Sequence, residues 1–320
     1  MMNEPVLQTE ALSKHYGGGK KPVLALDQLS LTADRGEIFG FLGPNGAGKT
    51  TTIKLLLDLI RPDSGHARLF GLDVNQHSVE IRRRVGYLPG ELALWNGQTA
   101  AHVIAYFGKL RGGLDARFVG ELQQRLEFDP GKKIREYSSG NKRKLGLILA
   151  LMHKPELLIL DEPTSGLDPL VQQTFLQLMR EARAAGQTVF LSSHMLSEVQ
   201  AICDRVGILR AGKLEEVKRV SDLMNQDYRV VTLRLREPAS NGLFSSLPSV
   251  TGLEVNGHQA TFRLQGDFNP LLDALRGVYI EDIGVAEPSL EDIFLTYYGD
   301  HPTNGVVPTA QKQLRQEVAS

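Results

Sequence analysis

The sequence predicts an α/β protein in which helices cover a mixed β-sheet, followed by a small α+β domain. Short runs that are apolar throughout, such as residues 38–42 and 157–160, alternate with amphipathic helical patterns up to about residue 220. Strands of this kind are typical of a parallel sheet with both faces covered. Beyond residue 220, residues 228–236 alternate apolar and polar side chains, which is typical of a sheet with one covered face.

The length sets the domain organisation, because 320 residues correspond to roughly two domains of about 150 residues. We expect a first domain at residues 5–220, with an N-terminal β subdomain and a helical subdomain at about 91–140. A C-terminal accessory α+β domain is predicted at residues 221–298, and a mobile polar tail at residues 299–320.

Composition and charge exclude several classes of protein. Lys and Arg number 36 and Asp and Glu number 37, so the net charge of −1 predicts no general affinity for nucleic acid. Cys203 stands alone, which excludes an intrachain disulfide and fits a reducing compartment. Residues 1–10 lack the apolar run of a secretory signal, and the most apolar stretch, residues 145–152, is far shorter than the ~18 residues of a spanning helix. We therefore expect a cytoplasmic protein that does not cross a membrane by itself.

Apolar spacing places the elements of the first domain. Residues 6–12 and 23–31 are predicted strands around a glycine loop at residues 17–19. A helix carries Ile53, Leu56, Leu57 and Ile60 and is expected to end at Arg61-Pro62. Further strands are predicted at residues 189–191 and 206–209, and helices over residues 97–127, 145–152 and 169–182, the last with Asp168 as its N-cap.

The accessory domain shows shorter patterns. Residues 252–264 are predicted to form a hairpin around Asn256-Gly257, a strong turn signal. A short helix at 270–276, a strand at 278–285 and a last helix at 290–298 follow.

A phosphate-binding loop is the strongest motif. It fits G-x-x-x-x-G-K-[ST] and consists of Gly43, Pro44, Asn45, Gly46, Ala47, Gly48, Lys49 and Thr50. Glycines let backbone N–H groups wrap around phosphate oxygens, Lys49 would reach the β and γ phosphates, and the Thr50 hydroxyl would bind Mg²⁺. An ordinary glycine turn would not lie between a buried strand and an amphipathic helix, so the sequence predicts a P-loop NTPase that binds nucleotide.

Two acids follow the apolar run at residues 157–160. Ligands of α/β sheets bind beyond the carboxyl ends of strands, so Asp161 is expected to hold Mg²⁺ and Glu162 to orient or deprotonate the attacking water. His194, which follows another apolar run, is expected to contact the γ phosphate. In isolation these residues would be an acidic turn and a surface histidine; the upstream loop favours the catalytic interpretation.

Taken in order, these motifs resemble those of the nucleotide-binding subunit of ABC transporters over residues 5–220. Walker A is the phosphate loop, Walker B is residues 157–161 with Glu162, the D-loop is residues 165–168 with Asp168, and His194 is the switch histidine. Residues 137–141, Tyr-Ser-Ser-Gly-Asn, stand where the family has the signature Leu-Ser-Gly-Gly-Gln.

The resemblance implies a mechanism and partners. Two subunits, as a homodimer or a heterodimer with a similar ATPase, would pair head to tail and enclose ATP and Mg²⁺ between Walker A of one and the signature of the other. The signature residues are Ser138, Ser139, Gly140 and Asn141. Tyr16 looks like the aromatic residue that stacks on adenine, and Thr51 completes the nucleotide site. ATP hydrolysis would drive a separate transmembrane permease, with the subunit peripheral on the inner face of the cell membrane.

Three departures from the family pattern matter. The first, third and fifth signature positions differ, and Gly90 replaces the usual glutamine of the Q-loop. Glu91 can substitute for that glutamine, or the loop acts only mechanically. The extension beyond residue 220 contains residues 288–294, which look like the ending of ATPases that serve ABC-2 exporters of drugs, polysaccharides or antibiotics.

Two rival functions remain at this point. One is a soluble ABC-type ATPase acting in regulation, on nucleic acid or on ribosomes, although such chains carry two cassettes or large insertions. The other is a non-hydrolysing module, which the presence of Glu162 and His194 disfavours. Residues 142–144, Lys-Arg-Lys, are expected to be a solvated helix face, and Trp95 is either core or a partner-docking residue.

Overall fold

The computed structural model describes residues 5–17, 22–224, 228–238, 241–244 and 247–287 of the chain. Two compact units divide between Leu223 and Met224. The helix expected at 290–298, the tail at 299–320, the exporter-like run at 288–294 and most of the glycine loop at 17–19 lie outside the described residues.

Two sheets build the first unit. Its strands are β1 (Leu7–Tyr16), β2 (Val23–Ala33), β3 (Ile38–Leu42), β4 (Ser64–Leu69), β5 (Leu72–Asp73), β6 (Val85–Leu88), β7 (Leu157–Asp161), β8 (Thr188–Ser193), β9 (Arg205–Arg210) and β10 (Lys213–Arg219). Its helices are α1 (Lys49–Leu56), α2 (Ser78–Arg84), α3 (Ala100–Leu110), α4 (Ala116–Arg125), α5 (Ser139–Leu151), α6 (Pro169–Ala184) and α7 (Leu196–Ile202), and α8 (Val220–Met224) crosses the boundary.

The central sheet is mixed, as predicted. Its strand order is β10-β9-β3-β8-β7-β6. β6, β7, β8, β3 and β9 run parallel, and β10 pairs antiparallel with β9. Strands β3, β7 and β8 are buried along their whole length, which explains their uninterrupted apolar sequences. The carboxyl ends of these parallel strands meet at one edge of the sheet.

An antiparallel sheet of order β2-β1-β4-β5 shares a hydrophobic core with the central sheet. Phe39 of β3 and Phe190 of β8 stack with their ring centroids 5.7 Å apart inside this core. Residues of α1 pack in the same core, among them Ile53 and Leu56. The core therefore fixes α1, the helix that begins at the phosphate loop, between the two sheets.

Some element bounds differ from the sequence predictions. The helix expected to continue to Arg61 ends at Leu56, because Asp58 takes a left-handed backbone with φ of 54° that breaks the helical repeat. Strands β4 and β6 were not predicted from the sequence: β4 has too little apolar alternation, and β6 is only 4 residues long.

The second unit contains a four-stranded antiparallel sheet of order β12-β13-β11-β14. Its elements are β11 (Tyr228–Leu235), α9 (Asn241–Phe244), β12 (Val250–Asn256), β13 (Gln259–Gln265), α10 (Asn269–Ala274) and β14 (Ile280–Ala286). Val231, Leu233 and Leu235 line one buried face, as their spacing predicts. The hairpin turn lies one residue later than predicted, because Asn256 pairs with Gln259 and Gly257, with φ of 59°, takes the first turn position.

Candidate functional site

The phosphate loop connects the end of β3 to the start of α1. Gly48 is the N-cap of α1 and has a left-handed φ of 112°. A Cβ on Gly48 would lie 2.6 Å from the carbonyl oxygen of Ala25, so the close packing of β2 behind the loop also requires glycine there. Local backbone conformation and tertiary packing therefore both select this glycine.

Lys49 is buried at the first position of α1. Its ammonium donates to the carbonyl oxygen of Gly43 at 2.6 Å and lies 3.2 Å from Oε1 of Glu162, an ion pair across the cleft. The cleft has a volume of about 280 Å³. Its lining comprises Tyr16, Ala25, Pro44, Asn45, Gly46, Gly48, Lys49, Thr50, Thr51 and Glu162.

Asp161 is the last residue of β7 and is fully buried. The hydroxyl of Thr50 donates to its Oδ2 at 2.8 Å, and the hydroxyl of Ser192 donates to its Oδ1 at 2.5 Å. Both carboxylate oxygens are thus held by hydroxyl groups from neighbouring elements. Ser192 was missed as a site residue; its position at the end of the apolar strand β8 is the signal that could have identified it.

Glu162 and His194 form the second pair of the site. Nδ1 of His194 lies 2.6 Å from Oε2 of Glu162, a distance at which the ring N–H donates to the carboxylate. Glu162 takes a left-handed backbone with φ of 50°, and its N–H donates to the carbonyl oxygen of Ser192 at 3.1 Å. The strained turn directs the carboxylate between Lys49 and His194, where it can accept a proton from a water molecule.

Tyr16 ends β1 at the rim of the cleft and is 40% exposed. Its hydroxyl lies 3.4 Å from Oγ1 of Thr51. The preceding residue is fixed, because the N–H of His15 donates to Asp63 at 2.5 Å. This hydrogen bond and the Lys14 ammonium lower the pKa of Asp63 to about 2. The aromatic ring is thus presented at the cleft by an anchored strand end.

The signature residues lie at the start of α5 rather than in the lining of the cleft. Ser138 is the N-cap and accepts a hydrogen bond from the N–H of Asn141 at 3.3 Å. Gly140 packs on the D-loop, because a Cβ there would lie 2.7 Å from the carbonyl oxygen of Gly166. Ser138, Ser139 and Asp168 are exposed, and Asp168 caps α6 through Val171 N–H at 3.0 Å.

The Q-loop position brings a backbone, not a side chain, to the Asp161 carboxylate. A Cβ on Gly90 would lie 3.1 Å from Oδ2 of Asp161, whereas Glu91 is exposed. The expectation of a solvated helix face at residues 142–144 is wrong for Arg143 and Lys144, which are buried. Arg143 can be buried at this position because its guanidinium donates to the carbonyl oxygens of Pro89 and Gly90, which replace its hydrogen bonds to water.

Strand β3, the loop and α1, with Asp161 and Glu162 at the carboxyl end of β7 two strands away in the sheet, define a P-loop ATPase. Residues 26–165 match a family model described as ABC transporter. The bacitracin transport ATP-binding protein of Bacillus licheniformis is 34% identical over 92% of this chain and 97% of its own length. The chain therefore belongs to the ATP-binding proteins of ABC transporters, and it is an ATPase subunit, which confirms the family predicted from its motifs.

Further comparisons agree. Residues 212–298 match a model described as the C-terminal domain of DrrA1-3-like ATP-binding proteins. The linearmycin resistance ATP-binding protein of Bacillus subtilis is 32% identical over 92% of this chain and 98% of its length, and the daunorubicin resistance ATP-binding protein DrrA3 of Streptomyces coeruleorubidus is 33% identical over 93% and 98%. A solved ATP-binding subunit of an ABC transporter, 30% identical, superposes with a TM-score of 0.62 over 69% of this chain and 92% of the other. A solved dimeric ATP-binding cassette, 22% identical, shares the fold with a TM-score of 0.60 over 67% and 98%.

Across the residues that the structure describes, no helix is both long enough and apolar enough to cross a membrane. The same residues contain no cluster of three or more His, Cys, Asp or Glu able to hold a metal ion. An all-protein metal cage is thus absent from the described parts, whereas a P-loop site needs only a hydroxyl and a carboxylate beside the phosphates.

Proposed function

We propose that two copies of this subunit enclose two ATP molecules head to tail and hydrolyse them to drive a separate exporter permease. The observation that carries the proposal is that Glu162, which lines the cleft together with Lys49, contacts both Lys49 and His194. Thr50 and Asp161 adjoin the same cleft through their 2.8 Å hydrogen bond. A cation for phosphates, an acceptor for a proton and a pair of hard oxygen ligands are the parts that phosphoryl transfer requires.

The Thr50 hydroxyl and the Asp161 carboxylate fit Mg²⁺. Both supply oxygen, they already lie within hydrogen-bond distance of each other, and Ser192 fixes the other oxygen of the carboxylate. Mg²⁺ prefers few protein oxygens together with phosphate and water. When bound, the ion would neutralise charge on the β and γ phosphates.

Glu162 is the proposed general base. Its carboxylate is held from two sides, by the Lys49 ammonium at 3.2 Å and by the His194 ring at 2.6 Å. A carboxylate fixed in this way can take the proton of an attacking water without reorienting. Phosphate bound at the loop would accept from the Lys49 ammonium, which also pairs with Glu162, and we assign His194 to contact the same phosphate.

The partly exposed signature supports the paired arrangement. Ser138, Ser139, Gly140 and Asn141 lie at the N-terminus of α5, where free amide groups and the helix dipole attract anions. Because these residues are outside the lining of the chain's own cleft, we assign them to the ATP held by a second copy or a similar subunit.

The permease contact is assigned to the loop before α3. Trp95 is 47% exposed, and its ring centroid lies 4.9 Å from that of Tyr106 and 6.0 Å from that of Phe107. Such an exposed, preformed aromatic group suits an interface anchor. We place the subunit on the inner face of the cell membrane, with residues 5–220 as the ATPase domain, about 91–140 as its helical subdomain and 221–298 as an accessory domain.

The names of the relatives support a substrate class. They are named for bacitracin transport, linearmycin resistance and daunorubicin resistance. We infer that the permease partner of this subunit exports an antibiotic-like compound.

Two measurements test the proposal. Purified wild-type chain should hydrolyse ATP only when Mg²⁺ is present, and Lys49→Ala should abolish that activity because the phosphates lose a fixed cation. In cells, a tagged chain should sediment with membranes and co-purify in detergent with a multi-helix membrane protein. An active chain found only in the soluble fraction with nucleic acid or ribosomes would support the soluble ABC-type ATPase instead, and an inactive wild type would overturn the hydrolytic role.

A further inference from the structure

The guanidinium of Arg143 joins the signature helix to the Q-loop segment. Arg143 lies in the second turn of α5, is only 7% exposed, and donates at 2.7 Å to the carbonyl oxygen of Pro89 and at 2.9 Å to that of Gly90. One forked side chain therefore holds two consecutive backbone carbonyls of a segment 53 or 54 residues away in sequence.

A glycine on the same helix strengthens this connection. Gly146 faces the segment one turn later, and a Cβ there would lie 2.5 Å from Cδ1 of Leu88 and 3.0 Å from Cδ1 of Leu92. With no side chain between them, the helix backbone and the segment approach more closely than other residues would allow. The helix and residues 88–92 are thus packed as one body.

The same segment also lies close to the carboxylate of Asp161. The Cβ position of Gly90 lies 3.1 Å from Oδ2 of Asp161, the oxygen that accepts from Thr50. Burial lowers the pKa of Arg143, while the nearby carboxylates of Asp161 and Glu162 act in the opposite direction. A buried guanidinium is tolerated only with such partners, so the carbonyls and the two acids together compensate for its desolvation.

We propose that Arg143 is a positioning residue for ATP hydrolysis, because it fixes residues 89–90 against the Asp161 carboxylate. Since Arg143 belongs to α5, the same hydrogen bonds connect residues 89–90 to the helix that begins at the signature. Because Gly90 has no side chain, its approach to Asp161 is set by the backbone, and Arg143 holds that backbone through two hydrogen bonds. The inference rests on the proposed function, since it requires Asp161 to hold Mg²⁺ and the signature to contact ATP.

A second arginine provides a matched control. Arg111, which follows α3, donates to the carbonyl oxygens of Arg82 at 2.8 Å, Arg83 at 3.0 Å and Val85 at 3.3 Å. It therefore makes the same kind of contact at the opposite end of β6, away from Asp161. Replacing either arginine removes a similar number of hydrogen bonds, but only Arg143 adjoins the site.

The experiment compares Arg143→Met, Arg143→Lys and Arg111→Met with the wild-type chain. Hydrogen exchange without nucleotide should accelerate roughly tenfold in the peptide that spans residues 90–92 for Arg143→Met. Steady-state kinetics should show kcat reduced roughly tenfold or more, with KM for ATP within about threefold of wild type, because the loss is in positioning rather than in ATP binding. Arg143→Lys should recover part of kcat, since lysine can donate to one of the two carbonyls. Arg111→Met should accelerate exchange at residues 82–85 instead and keep kcat within about twofold.

Three results would overturn the inference. One is unchanged exchange at residues 90–92 in Arg143→Met, which would show that the arginine does not hold the segment. Another is a normal kcat despite faster exchange, and the third is an equal fall of kcat in Arg111→Met, which would indicate only general destabilisation. An inactive wild-type chain would instead overturn the proposed function, and the exchange measurement would still decide whether Arg143 holds the segment.

Discussion

The hydroxyl of Thr50 donates to Oδ2 of Asp161 across 2.8 Å, although 111 residues separate the two positions. The bond joins the first turn of α1 to the carboxyl end of β7, two elements that only the folded sheet brings together. A hydroxyl and a carboxylate from separate motifs are therefore already in the relationship that a shared Mg²⁺ requires.

Thr50→Val should disable Mg²⁺ use while leaving the fold intact, because valine keeps the shape of threonine but lacks the oxygen ligand. We expect kcat to fall about 100-fold and the Mg²⁺ concentration for half-maximal activity to rise. Thr52→Val is the matched control, since the Thr52 hydroxyl donates to the carbonyl oxygen of the N-cap Gly48 and Thr52 does not line the cleft. Equal magnesium titrations for both variants would contradict the assigned ligand.

Glu162→Gln should bind MgATP but lose turnover by about 10²–10⁴-fold, because an amide cannot accept the proton of water. Size-exclusion chromatography with light scattering should then detect an ATP-bound dimer that persists. The control is Glu156→Gln at the opposite end of the same strand, where the carboxylate pairs with Arg84 and Arg35. Normal turnover in Glu162→Gln would exclude this carboxylate as the general base.

Ser138→Arg should block ATP-driven dimerisation, because the added bulk and charge occupy the position offered to the partner's phosphate. Loss of the helix cap alone costs about 1 kcal/mol, and Ser138→Ala measures that part separately. A mixed dimer of Ser138→Arg with Lys49→Ala should keep one intact composite site and roughly half of the activity. Full-rate hydrolysis by an isolated monomer would rule out the shared site.

Trp95→Ala should spare the ATPase activity of the free subunit and weaken its recovery with the permease by about tenfold, because an interface anchor contributes 1 kcal/mol or more. Co-purification from detergent-solubilised membranes measures the effect. Tyr279→Ala serves as control, since Tyr279 is a comparably exposed aromatic residue in the second unit, at 59%. Undiminished permease association and transport in Trp95→Ala would place the docking site elsewhere.

His153 should make the first unit acid-sensitive. Burial and the Arg111 charge lower its pKa from 6.5 to about 4, so the folded chain binds this proton less readily than the unfolded chain. The neutral ring therefore contributes stability, on the order of 2 kcal/mol, that is present above pH 6.5 and is lost as pH falls towards 4. In His153→Gln the fall in melting temperature between pH 7 and pH 5 should be smaller than in wild type, whereas His102→Gln at an exposed position should match wild type. An unchanged pH dependence in His153→Gln would refute the assignment.

The parts of the site that sequence could predict are those carried by local signals. The phosphate loop, Asp161, Glu162 and His194 each follow an apolar strand, and the parallel sheet brings strand ends together. The burial of Arg143 could not be predicted, because a Lys-Arg-Lys run gives no sign that one of its side chains hydrogen-bonds carbonyl oxygens distant in the sequence. The approach of Gly90 to Asp161 likewise depends on long-range packing. In the fold, the buried strands were predictable from continuous apolar runs, whereas β4 and β6 are stabilised by their neighbours in the sheets and not by their own sequences.

The left-handed backbone of Glu162, with φ of 50°, gives the chain opposing requirements at one position. A side chain with a Cβ in this conformation costs roughly 1–2 kcal/mol, which glycine would not incur. The residue best suited to the turn is therefore not the one that can accept a proton. Glycine would remove this cost, but it would also leave the buried Lys49 ammonium without its carboxylate partner, so the turn and the ion pair place opposing demands on one residue.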